Sequence, residues 1–192
     1  MVHLDVSGAG GWETAVADAV GQVGGLDIGS PSGDGIHGSS VTTAVVGVNS
    51  PVAITGAGGD GVELSGAASG GIQVNAFVSG SGARSVAVSG RSGGTTAFGG
   101  AISGKGVELS GNTGATVSFS GLLTISTTTT PAFSAIGGGT VVSTHSGSTL
   151  ASTTGRALDV VDTTIGASGL QFRTIPANGA PNGIRLTNPG AS

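Results

Sequence analysis

Short apolar pairs separated by one residue recur along this chain at a nearly constant interval. The string Gly61-Val-Glu-Leu-Ser-Gly66 returns as Gly106-Val-Glu-Leu-Ser-Gly111. Aligned on the first apolar residue, the copies begin at Leu4, Ile36, Val62, Val86, Val107, Phe133, Leu158 and Ile184, with intervals of 32, 26, 24, 21, 26, 25 and 26 residues. Two places on stand Val6, Gly38, Leu64, Val88, Leu109, Ala135, Val160 and Leu186, the return to the same face that period-two alternation into a core requires. Between them, on the opposite face, lie Asp5, His37, Glu63, Ala87, Glu108, Ser134, Asp159 and Arg185. The position before the anchor is small in seven copies, from Gly35 to Gly183, and Gly8, Gly66, Gly90, Gly111 and Gly137 follow four places after it. Small residues there permit the bends that end one short strand and begin the next.

A repeat near 25 residues is too short for a propeller blade at about 40–45. It has no leucine-rich signature, and its Gly, Thr and Val content rules out helical repeats. The pattern predicts an all-β chain, a right-handed parallel β-helix of about eight rungs. Each rung hydrogen-bonds to the next at about 4.8 Å, and the stack merges the strands' apolar faces into one core. Second strands are expected at Val45-Val46, Ile72-Val74, Thr96-Phe98, Val117-Phe119, Val141-Val142 and Leu170-Phe172. The one long interval holds Trp12, Val16, Ala19, Val20 and Val23 on one helical face, with Glu13 in the favourable first turn. This predicts a capping helix over the first rung, so residues 1–34 are read as an N-terminal strand and cap, and 35–192 as one continuous domain of rungs. Pro189-Gly-Ala-Ser192 offers no matching lid at the other end. The last rung is expected to meet further chain of a longer parent or another copy, and a break within a repeat favours the former.

Composition narrows the setting. Of 192 residues 8% are charged and 40 are Gly, the net charge is −4 and the mean hydropathy is +0.33. Ordinary domains carry about 25% charge, whereas disordered chains combine low hydrophobicity with high net charge, so order is expected. No apolar run reaches the about 18 residues that span a bilayer, and Met1-Val-His-Leu-Asp5 is not a secretory signal. The absence of Cys excludes disulfide and thiolate chemistry. Six scattered basic residues make no phosphate-binding stripe, and nucleic acid is not an expected partner.

The stretch Leu4-Asp-Val-Ser-Gly-Ala-Gly-Gly-Trp-Glu-Thr-Ala-Val-Ala-Asp-Ala-Val20 resembles the strand, glycine turn and capping helix that open pectin-lyase-like β-helices and phage tailspikes. The run from Gly137 through Asn188, including Arg156-Ala-Leu-Asp-Val-Val161 and Asn182-Gly-Ile-Arg-Leu-Thr-Asn188, is similar to the β-strand repeats of very long bacterial surface proteins. The resemblance implies a stalk, spacer or adhesive segment, exported to the cell surface or beyond.

Little on the chain suggests chemistry. Two places before the anchor come Asp34, Asp60, Arg84, Lys105, Pro131, Arg156 and Asn182. Stacking sets Asp34 beside Asp60 and Asp60 beside Arg84. Such a pair could hold calcium with Arg84 as a base, but it offers too few of the six to eight oxygens calcium prefers, and a solvated charged corner is the simpler reading. Asp159 beside Arg185 reads as a cross-strand ion pair. Glu63 and Glu108 stand two rungs apart, roughly 10 Å, a separation found in inverting hydrolases; Ala87 between them argues for coincidence. Ile36-His-Gly38 is only a fragment of a hydrolase turn, His3, His37 and His145 occupy different registers, and no Gly-Lys-Ser/Thr phosphate loop occurs. Thr42-Thr43, Thr95-Thr96, Thr127 to Thr130 and Thr163-Thr164 hint at an ice-binding face, yet their unequal offsets from the anchors argue against one ladder. No catalytic, cofactor-binding or metal-ligating residue is therefore assigned, and no cofactor is implied. The expected function is a non-catalytic β-helical segment of an exported bacterial surface protein. Its low charge, with Ile136 and Val161 in a column otherwise Ser or Thr, predicts self-association. The alternatives are a pectin-lyase-like polysaccharide lyase or hydrolase and an ice-binding solenoid.

Overall fold

The computed structural model describes residues 26–29 (backbone only), 32–47 and 52–190. Leu4, His3 and the capping helix expected near Trp12 lie outside them. Among the described residues the chain is a parallel β-solenoid of nineteen short strands in three sheets, without a helix. The anchor sheet stacks β2 (Ile36–Ser39), β5 (Val62–Ser65), β8 (Val86–Ser89), β11 (Val107–Ser110), β14 (Phe133–Ile136), β17 (Leu158–Val161) and β19 (Ile184–Thr187). Every pairing is parallel, and Ile36, Val62, Val86, Val107, Phe133, Leu158 and Ile184 lie one over another. The second sheet contains β3 (Ala44–Val46), β6 (Ile72–Val74), β9 (Thr95–Phe98), β12 (Thr116–Phe119), β15 (Thr140–Ser143) and β18 (Thr164–Leu170). It carries five of the six expected second-strand pairs; of Leu170-Phe172 only Leu170 falls within β18.

One expectation needs correction, and one sheet was not anticipated. The described anchors form about six turns, not eight: seven stacked strands enclose six intervals, and Leu4 lies outside the described region. A third sheet completes each turn: β1 (Leu26–Gly29), β4 (Val52–Thr55), β7 (Phe77–Ser79), β10 (Ile102–Gly104), β13 (Leu123–Thr127) and β16 (Thr149–Ser152). It supplies the fully buried Val52, Ile54, Val78, Ile102, Leu123, Ile125 and Leu150, none of which the anchor spacing singled out. Ile54, Val78, Ile102 and Leu123 each follow an anchor by 16 to 18 residues, a signal present but weakened by single apolar positions and varying turn lengths.

Large side chains meet where rungs repeat an aromatic. Phe98 and Phe119 are register partners whose rings stack 5.0 Å apart at 9°. Phe133 then meets Phe119 edge-on at 5.5 Å, and Phe172 meets Phe133 at 6.0 Å. This ladder links the second sheet to the anchor sheet through one apolar interior. Offset and edge-to-face rings contribute about 0.5–1.5 kcal/mol per pair beyond their buried area.

The turn after the anchor strand is the same in every rung. Ser40, Gly66, Gly90, Gly111, Gly137, Asp162 and Asn188 all have positive φ, between 47° and 95°. Four of the glycines noted in sequence mark a left-handed column that also includes Ser40, Asp162 and Asn188; Gly8 lies outside the described residues. Amides along it extend the inter-rung ladder past the strand ends, as in Gly90 N–H to Ser110 O at 2.9 Å and Asp162 N–H to Thr187 O at 2.9 Å. Asn188 Nδ2 donates to Asp162 Oδ1 at 2.9 Å. Asn and Asp tolerate this conformation better than other side chains, so the substitutions follow the backbone's demand.

A Cβ at Gly111 would meet nothing within 4 Å, so its φ of 62° alone sets the effect of a side chain. Gly111→Ala is expected to cost about 1–2 kcal/mol, the left-handed penalty for an L-residue, and Gly111→Asn less than half of that. Urea unfolding at equal m-value reads the difference.

Candidate functional site: the charged corner of the anchor sheet

The corner leading into the anchor sheet gathers most ionisable groups of the described chain. Its geometry follows from the repeat, because each residue two before an anchor stacks over its counterpart in the neighbouring rung. Asp34 Oδ1 accepts the backbone N–H of Asp60 at 2.8 Å. Asp60 Oδ1 in turn accepts the N–H of Arg84 at 2.9 Å. Each carboxylate thereby stitches its rung to the next.

Asp60 is 4% exposed, and a buried charge requires a partner. Arg84 supplies it with a two-point bond, Nε to Oδ1 at 3.1 Å and NH2 to Oδ2 at 2.8 Å. Its NH1 reaches over Ala87 to Glu108 Oε2 at 2.9 Å. Hydrogen bonds to Asp60 are the largest influence raising the Arg84 pKa above the usual arginine value; burial opposes them, and Glu108 adds to the rise. Glu63, Ala87 and Glu108 are successive partners, so the two-rung separation of the glutamates holds. A guanidinium occupies the approach to one of them.

Asp34, Asp60 and Glu63 converge, with one carboxylate oxygen of each within 4.8 Å of the others. Burial raises the Glu63 pKa first; a hydrogen bond with Asp34 and the charges of Asp34 and Asp60 raise it further, while His37 on the adjacent rung opposes them. The sequence placed Asp34 with Asp60 but not Glu63 with both. That contact depends on how far side chains lean from the sheet towards the corner.

Below the triad lies an open hollow of ≈ 380 Å³ lined by Arg84, Gly106, Val107, Glu108, Thr130, Pro131 and Ser134 among others. It holds one guanidinium and one carboxylate, already bonded to each other. Farther along, Asp159 is 2% exposed and takes a two-point bond from Arg185, at 2.6 and 2.7 Å, with Arg156 NH1 at 3.6 Å. The expected cross-strand ion pair is present, with Arg156 added from the corner column. The hydrogen bond to Asp159 raises the Arg185 pKa.

A buried charge that sequence reasoning passed over is Arg91, 1% exposed. Its guanidinium donates to the carbonyl oxygens of Val41 and Gly70, and burial lowers its pKa. None of the salt bridges among the described residues involves it. Only its position five after an anchor, beneath a turn, distinguished it from the exposed arginines.

The threonines also differ from expectation. Thr95, Thr116, Thr140 and Thr164 are successive register partners on the outer face of the second sheet, although their offsets from the anchors differ. Thr96 and Thr163 are buried, and Thr127 is buried while Thr128, Thr129 and Thr130 are exposed. A short ladder therefore exists, made from one member each of the pairs Thr95-Thr96 and Thr163-Thr164 together with Thr116 and Thr140. Compared with known protein families, curated proteins and solved structures, the chain matches none of them.

Because the folded pKa of Glu63 lies above its ordinary value, its proton is held more tightly in the folded chain. Its contribution to stability is fully present below the ordinary glutamate pKa and is lost as pH rises through the raised value. Glu63→Gln is expected to raise the melting temperature at pH 7, with the advantage shrinking towards pH 4. An equal effect at both values would refute the raised pKa of Glu63.

Proposed function

We propose that the chain is a non-catalytic structural segment of an exported bacterial surface protein, a stalk, spacer or presentation module whose copies associate. The supporting observation is that three of the acids are bonded to arginines: Asp60 and Glu108 by Arg84, and Asp159 by Arg185 and Arg156. A hydrolase or lyase site needs an acid or base free to reach substrate, whereas here Arg84 and Arg185 tie their carboxylates to neighbouring rungs. The resemblance of residues 137–188 to surface-protein repeats agrees with this reading. So does the uninterrupted core from Val62 to Val160. A stack of six rung intervals spans roughly 29 Å, a fixed distance between whatever lies at its two ends.

The in-register column of Thr95, Thr116, Thr140 and Thr164 favours one second reading, recognition of ordered water at an ice surface. A single column four residues long offers few contacts for it.

Incubation with neutral and acidic polysaccharides, with and without calcium, is expected to release neither reducing nor unsaturated ends. Release that disappears in Asp60→Ala would replace the structural reading with an enzymatic one. Inhibition of ice recrystallisation, lost in Thr116→Val/Thr140→Val, would favour the second reading.

A further inference from the structure

The outer face of the third sheet carries a column in which large and small residues alternate. Ala53 and Phe77 are register partners. Val78 N–H donates to Ala101 O, and Ile102 N–H to Leu122 O, both at 2.9 Å, which sets Phe77, Ala101 and Leu122 on successive rungs. A Cβ on Gly147 would lie 3.7 Å from Leu122 Cδ1. The column therefore reads Ala53, Phe77, Ala101, Leu122, Gly147. Phe77 is 44% and Leu122 36% exposed, each projecting between two small neighbours.

Between its two ends this face is uncharged: Asp27 is the register partner of Ala53 on the preceding rung, and His145 Nδ1 accepts the Gly147 N–H at 3.2 Å at the other end. Beside the alternating column runs a hydroxyl column: Thr55 over Ser79, Ser103 over Thr124, and Thr124 over Thr149. From Ala53 to Thr149 no outward position of the sheet is ionisable. The anchor sheet, by contrast, presents His37, Glu63, Glu108 and Arg185 outward. An isologous contact brings a patch against itself, and every ionisable group it covers must be desolvated, so a face with few such groups closes on its copy more readily.

We propose that two copies of this chain pair through the third sheet, with rods antiparallel and Phe77 and Leu122 as knobs. A two-fold axis between the Phe77 and Ala101 rungs sets Phe77 against the partner's Ala101 and Leu122 against the partner's Ala53. Every large residue then meets a small one, and both knobs on each copy are filled by the same operation. The proposal rests on the self-associating part of the structural reading and names its surface. Four rung steps by about four residues of strand give about 250 Å² a side, well under the about 800 Å² of a standard interface. The dimer is accordingly weak and reversible.

Sedimentation velocity from about 5 µM to about 500 µM tests this on the whole chain, with Phe77→Ser/Leu122→Ser compared against Ile184→Ser/Leu186→Ser. Both pairs are exposed, and unchanged circular dichroism melts verify folding. The expected result is a concentration-dependent dimer that weakens at least about tenfold in the first variant and persists in the second. A dimer lost only in the second variant places association at the end of the rod; that overturns the face proposal and leaves self-association standing. A dimer unaffected by either variant also overturns it. A monomer at all concentrations removes both the proposal and the self-associating reading beneath it.

Discussion

The fold depends on one constraint, the parallel hydrogen bonding of each rung to the next. Once Ile36, Val62, Val86 and their successors are locked in register, any position in the rung becomes a column, and its residues face one environment. An inward column is apolar in nearly every rung, with Thr96 and Ser143 as small buried exceptions. A turn that needs a left-handed residue needs one each time, as Ser40, Asp162 and Asn188 illustrate beside their four glycine counterparts.

The same constraint governs the charges. Stacking places like residues a rung step apart, close enough for opposite charges to bond and for like charges to conflict. Asp60 and Asp159 are tolerated at 4% and 2% exposure because a guanidinium from a neighbouring rung reaches each of them. Where two carboxylates meet without a full complement of cations, as at Glu63 and Asp34, one holds its proton more tightly. Arg91 solves burial differently, by donating to backbone carbonyls at a turn.

At the last strand the constraint is half satisfied. Ile184 and Leu186 occupy inward columns yet are 49% and 50% exposed, because no described strand lies beyond β19. Phe77 and Leu122 are exposed for a different reason: they point outward from a sheet that is paired on both sides. Exposed apolar groups of the first kind lie at the edge of the described stack, and those of the second on the outer face of a sheet already paired on both sides.

Much of this was legible along the chain. The period, the anchor columns, the glycine turns, the Asp60–Arg84 neighbourhood and the Asp159–Arg185 pair follow from residues at constant offset from Val62 and its equivalents. The third sheet, the Thr95–Thr164 column, the convergence of Glu63 on Asp34 and Asp60, and the burial of Arg91 did not. Those features lie beyond turns whose length changes from rung to rung, or depend on how far a side chain leans. Linear distance fixes alignment only while the chain between is rigidly repeated. Past a variable turn, backbone hydrogen bonds between rungs set the register, and they form only in the assembled solenoid.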